Sequence, residues 1–198
     1  MISRTRIRAL ATAALLVLLT PAPGLAKAHL WRFDEIFSNA DGSIQFIELV
    51  ECCGSSEETN MDTVSMYSNA NTYDFPNDLV GDTAFQWVLI ATQSFADLPG
   101  APTPDYIMPP QFFDPHGDTL VYRTLDTVVI PPGAMPTNGV DSIDRNLNVQ
   151  TNNPQNFAGD SGSVIAYASV PVLSPALLGG LCALLAGSGA LLAVRRRN

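Results

Sequence analysis

The chain has 198 residues, with 19 Asp and Glu against 10 Lys and Arg, and 46 % hydrophobic residues, a content that argues against wholesale disorder and suits one domain, two at most. Charge is segregated. Residues 1–28 carry four basic residues and no acid, residues 29–170 carry every acid against Arg32, Arg123 and Arg145 for a net −16, and residues 171–198 carry three arginines. A middle this acidic argues against nucleic-acid binding, which needs a basic footprint.

The N-terminus reads as a secretory signal, residues 1–28. Arg4, Arg6 and Arg8 precede an apolar run from Ala9 to Leu19, and Pro21, Pro23 and Gly24 then break it. As a helix the run reaches only about 16 Å, short of a bilayer core of about 30 Å. Ala26-Lys27-Ala28 places small residues where a signal peptidase inspects them, so cleavage after Ala28 is expected, with cleavage after Ala26 as the neighbouring option.

Residues 29–170 read as one extracytoplasmic domain of short β-strands. Leu30 to Phe37 alternates with Trp31, Phe33, Glu35 and Phe37 on one parity, Asn39-Ala40-Asp41-Gly42 reads as a turn, and Ser43 to Glu51 follows as a second strand. Further strands are expected at 63–67, 85–91, 119–124 and 126–130, with short pieces near 143–149 and 164–168. Proline and glycine punctuate the connections, which suits an antiparallel sandwich or barrel. The Pro-rich stretch from Leu98 to Pro115 reads as a surface excursion packed by Tyr106, Ile107, Phe112 and Phe113. The expected core is Trp31, Phe33, Phe46, Ile47, Leu49, Phe85, Trp87, Leu89, Leu120, Tyr122, Val128 and Ile130.

Phe33-Asp34-Glu35-Ile36 followed by Gln45-Phe46-Ile47-Glu48-Leu49 resembles the opening of the lamin-tail domain, a family of compact immunoglobulin-like β-sandwiches. Asp34 stands where that family usually has Asn, and Phe46 near where it favours Trp. The resemblance covers about 20 residues well. It implies an immunoglobulin-like sandwich with an adhesion-like or scaffolding role. Glu35 and Glu48 match family positions and read as structural, since a carboxylate near a strand edge accepts nearby backbone or side-chain donors.

Several constellations are candidates for chemistry. Cys52 and Cys53 are adjacent, and in an oxidising compartment they form a vicinal disulfide, stay free, or bridge to another chain. Hard cations bind oxygen ligands in loops, so calcium is the cofactor considered, with Asp114, Asp118, Asp141 and Asp144 as ligands and Asp41 less strongly. A hydrolase would combine His116 with Asp114, Asp118 or Ser161, although no Gly-x-Ser-x-Gly elbow exists. A carbohydrate-binding module would expose Trp31, Trp87 or Tyr106 as stacking platforms. The reading preferred over both is a non-catalytic structural or binding domain.

Residues 171–198 form the tail. Ala176 to Val194 is uncharged and, as a helix, spans roughly 28 Å, enough to cross a bilayer, and Arg195, Arg196 and Arg197 belong on the cytoplasmic side. Pro171 to Pro175, including Ser174, then the apolar segment, then the arginines resemble the PEP-CTERM class of C-terminal sorting signals of Gram-negative bacteria, with Ser174-Pro175 in place of Pro-Glu-Pro. The resemblance implies export across the inner membrane, retention there facing the periplasm, and cutting by an exosortase-like protease for transfer to the envelope, matrix or exterior.

Overall fold

The computed structural model describes residues 28–167. The expected signal segment before Ala28, and Pro171, Ser174, Pro175, the apolar stretch and Arg195 to Arg197, lie outside the described residues. Among the described residues, no helix is long and apolar enough to cross a membrane.

The strands are β1 Trp31–Ser38, β2 Gln45–Glu51, β3 Ser65–Tyr67, β4 Thr72–Asp74, β5 Trp87–Thr92, β6 Tyr106–Met108, β7 Asp118–Tyr122, β8 Asp126–Ile130, β9 Asp141–Asp144 and β10 Val149–Thr151. They build two sheets, ordered β10-β9-β1-β2-β5-β6 and β4-β3-β7-β8. The expected all-β, two-sheet architecture is therefore present. One pairing departs from the antiparallel expectation: β6 runs parallel to β5. The Pro-rich excursion is thus partly strand, with Tyr106, Phe112 and Phe113 buried as expected but Ile107 pointing outward at 45 % exposure.

β1 and β2 form the expected hairpin. Asp41 Oδ1 accepts the backbone N–H of Ser43, and Gly42 takes φ +70°, the left-handed conformation that glycine adopts without steric cost. Between the sheets lies the main core, in which Trp31, Phe33, Ile36, Ile47, Leu49, Val88, Ile90, Leu120, Tyr122, Val128 and Ile130 are all buried. Each such side chain stabilises the fold by roughly 1.5–3 kcal/mol before entropy is counted.

The simple alternation along β1 fails at one point. A bulge falls between Phe33 and Glu35, so that Ile36 joins Trp31 and Phe33 on the inner face. Phe37 turns to the outer face, where it stacks on Phe46 at 5.2 Å, with Phe95 of the short helix Gln93–Ala96 edge-on to Phe46. Leu89, Ala91, Val164 and Ala166 complete this second cluster.

Other expectations are corrected. Phe85 is not core but 61 % exposed, and it precedes β5 at φ +56°. The piece near 143–149 is two strands joined by a turn, because Asp144 Oδ1 accepts the N–H groups of Asn146 and Asn148 and folds the chain back. Residues 164–167 form no strand, since the Asn152 side-chain amide takes the place of a neighbouring strand and bonds both the N–H and the C=O of Val164. β4 and the helix Gln93–Ala96 went unanticipated. They are three and four residues long, too short to show a period.

Candidate functional site

A cleft of about 510 Å³ lies beside the β1–β2 turn and is lined by Asp41, Asn71, Gln111, Asp114, His116 and Asp118 among others. It gathers Asp41, Asp114 and Asp118, three of the aspartates considered for calcium, and His116, the histidine of the alternative hydrolase reading. Their bonds point elsewhere. Asp118 is buried, and its carboxylate accepts the backbone N–H groups of Asn69, Asp114 and Thr119 at 2.6–2.8 Å. Asp114 Oδ1 accepts the backbone N–H of His116 at 2.8 Å and lies 3.2 Å from His116 Nδ1, on the surface. The His116 N–H is the main reason the Asp114 carboxyl sits below its ordinary range.

The remaining expected residues do not join them. Asp141 accepts from the Asn138 amide, while Asp144 serves its own turn through Asn146 and Asn148, which lowers its pKa. Ser161 forms an isolated bridge with Gln155 and does not line the cleft that holds His116. Among the described residues, no group of three or more His, Cys, Asp or Glu is arranged to hold a metal ion, and the four aspartates do not fit calcium as a set. Of the three aromatic platforms, Trp31 is fully buried with Nε1 donating to Glu58 O, and Tyr106 is 3 % exposed with its hydroxyl donating to Asn77 O. Trp87 is half-buried and lines a cleft on the larger sheet.

Cys52 and Cys53 are bonded to each other, in the exposed loop after β2. Beside them, the Glu51 carboxylate accepts the N–H groups of Cys53, Gly54 and Phe85 at 2.7–3.1 Å. Burial pushes the Glu51 carboxyl up, but these backbone donors outweigh it and hold the pKa below its ordinary value.

Ala28 belongs to the fold. It is 1 % exposed, and its carbonyl accepts from Tyr122 Oη at 2.8 Å and Arg123 Nη1 at 3.1 Å. The next two residues are held by Glu58 Oε2, which accepts the N–H groups of His29 and Leu30.

A second, smaller cleft of about 280 Å³ lies on the outer face of the larger sheet. The β1 bulge makes it. Two residues of β1 oppose one of β2 there, so Asp34 and Glu35 both meet the outer face beside Glu48, the register partner of Glu35, and Trp87 of β5 lies one strand further on. Asp34 Oδ2 accepts from Trp87 Nε1 at 2.9 Å. Glu35 accepts from Ser142 Oγ at 2.5 Å and from Asn153 N at 3.1 Å, and Glu48 accepts from Gln155 N. The reading of Glu35 and Glu48 as structural acceptors matches this geometry.

The two glutamates are nearly covered, at 4 % and 3 % exposure, and desolvation raises both pKa values. Glu48 is pushed up to about 9: burial is the largest cause, the Gln155 N–H opposes it, and the charges of Glu35 and Asp34 and a side-chain hydrogen bond with Asp34 add to it. The charged form of Glu48 is accordingly disfavoured. The sequence reading missed this cleft as a site. Its available signal was the amide-rich run Gln150 to Asn156, together with two adjacent acids inside an otherwise alternating strand.

Compared with models of known protein families, with curated proteins and with solved structures, the chain shows no match.

Proposed function

We propose that the chain is an exported envelope protein whose β-sandwich serves binding or structure rather than catalysis. In this reading the domain is immunoglobulin-like and akin to the lamin-tail domain. It is delivered across the inner membrane, held by its apolar tail with the arginines on the cytoplasmic side, and open to cutting near Ser174-Pro175 by an exosortase-like protease. The charge layout of the sequence supports the topology.

The observation that carries the non-catalytic reading is the use made of the buried acids. Buried Glu35, Glu48, Glu51, Glu58, Asp118 and Asp126, and half-buried Asp105, all accept backbone N–H groups from loops or strand edges. These carboxylates fasten the chain to itself. His116 and Asp114, the pair a hydrolase would use, stand exposed without a nucleophile in contact.

Fractionation of the native host combined with intact mass tests the proposal. An envelope product lacking the N-terminal segment is expected, and an unprocessed chain in the cytoplasm would overturn it. His116→Ala is expected to leave folding and binding unchanged. If an esterase or peptidase activity is found and vanishes in that variant, the non-catalytic reading fails.

A further inference from the structure

We propose that the outer-face cleft around Trp87 is a saccharide site, taking an uncharged sugar ring. This rests on the binding-domain reading above and names its ligand class. The cleft presents the half-buried Trp87 indole, the Asp34 carboxylate, and the side chains of Gln150, Thr151, Asn153 and Gln155. None of the last four side chains makes a hydrogen bond among the described residues, although their backbones are tightly held. Planar amides and a hydroxyl set around an aromatic face match a pyranose, whose C–H face is apolar and whose hydroxyls both donate and accept.

The site is held ready by a layer beneath it. Asp34 fixes the indole through Nε1, and Glu35 and Glu48 fix the backbone at Asn153 and Gln155. Ser142 of β9 donates to Glu35 in turn. Ligand-facing groups therefore stand on a frame that loses little freedom on binding. Glu35 and Glu48 are positioning residues, covered by the segment they hold. Charge selects among sugars: the acids of the cleft, in a domain of net −16, disfavour a uronic acid or a sulfated sugar.

The full-length protein, kept in a detergent without a sugar headgroup, is titrated with neutral hexose and N-acetylhexosamine oligosaccharides, and with a polyuronate as the charged arm. Trp31 and Trp87 are the chain's two tryptophans and Trp31 is buried, so a ligand-dependent emission change reports Trp87. A saturable change with a neutral oligosaccharide is expected, confirmed by calorimetry and abolished in Trp87→Ala. Because that variant removes packing as well, Asn153→Ala and Gln155→Ala serve beside it, each weakening binding roughly two- to tenfold, the worth of one hydrogen bond. The proposal is overturned if no neutral oligosaccharide moves the emission, if the amide variants bind as wild type does, or if the polyuronate binds as tightly as the neutral sugars. The titration uses purified protein, so it decides the cleft whatever compartment the chain occupies. Fractionation separately decides the export reading.

Discussion

Replacing Glu48 by Gln preserves the shape of the side chain and deletes one proton equilibrium. In the folded protein the Glu48 carboxyl is pushed from 4.5 to about 9, first by burial and then by its acidic neighbours. A carboxyl raised in the folded state keeps its proton when the unfolded chain has lost it. Its contribution is therefore fully present below pH 4.5 and is lost as the pH climbs towards 9. At about 1.4 kcal/mol per unit, the ceiling on that loss is roughly 6 kcal/mol. Water entry and local relaxation at the cleft reduce it, leaving an expected effect of about 2–4 kcal/mol. Glu51 acts with the opposite sign and in a separate window, since its lowered pKa removes stability only as the pH falls below its ordinary value. The assay is urea unfolding followed by tryptophan emission across a pH series from about 5 to 9. Glu48→Gln is expected to change stability little near pH 5 and to exceed wild type at pH 9, because the amide still accepts from Gln155 and carries no charge to bury. Parallel stability curves for the two proteins would refute the reasoning.

Gly139→Ala is expected to cost about 2 kcal/mol or more, seen as a lower urea midpoint, because at φ +78° a Cβ would come 2.5 Å from the Ala166 carbonyl oxygen. Gly159→Ala, at φ +89° with nothing within 4 Å, is the control for conformation alone and should cost about 1 kcal/mol. Asp118→Asn is expected to destabilise by about 2–3 kcal/mol, since charge-assisted bonds to three backbone N–H groups weaken together. Millimolar calcium should leave the melting midpoint of the wild type where it was. An upward shift that disappears in Asp118→Asn would restore the calcium reading. If the chain is exported as proposed, its product is expected to begin at Lys27, with cleavage after Ala26 rather than after Ala28, because cutting after Ala28 strips the acceptor from Tyr122 Oη and Arg123. Intact mass reads the cleavage position directly, and a product beginning at His29 would show that an α-ammonium facing Glu58 compensates for that loss.

The larger pattern of the fold was legible wherever a strand alternates over five residues or more. β2, β7 and β8 carry Ile47 with Leu49, Leu120 with Tyr122, and Val128 with Ile130 to the inner face as their alternation dictates. The β1 pattern misled from Asp34 onward because a bulge adds one residue to one strand, and parity arithmetic has no term for it. Phe85 misled for a related reason. Its hydrophobicity suggested core, yet its N–H is turned towards Glu51 and the backbone runs left-handed there, which swings the ring out against Gly54. For the smaller cleft the residue types were in view, but its assembly depends on β10 and the chain after it returning across β9 to the bulge. That is a long-range contact, more than 100 residues from Glu35 to Asn153, and no local pattern encodes it.

The same long-range logic explains why so acidic a domain has a use for its acids. Many of its connections are long and carry proline, which donates no N–H, so sheet ladders satisfy only part of the backbone. One carboxylate accepts two or three N–H groups at once, as Asp118, Glu51 and Asp105 each do, and so closes a loop that would otherwise need a further strand. A basic side chain, being a donor, cannot serve an orphaned N–H, which accounts for acids where a neutral surface would have been less strained electrostatically. Mutual repulsion is limited because these fasteners are dispersed over the domain. At the β1 bulge Asp34, Glu35 and Glu48 converge, and there burial together with the two neighbouring charges disfavours a charge on Glu48. A saccharide bound at that point, as proposed above, rests on the backbone that Glu35 and Glu48 hold at Asn153 and Gln155.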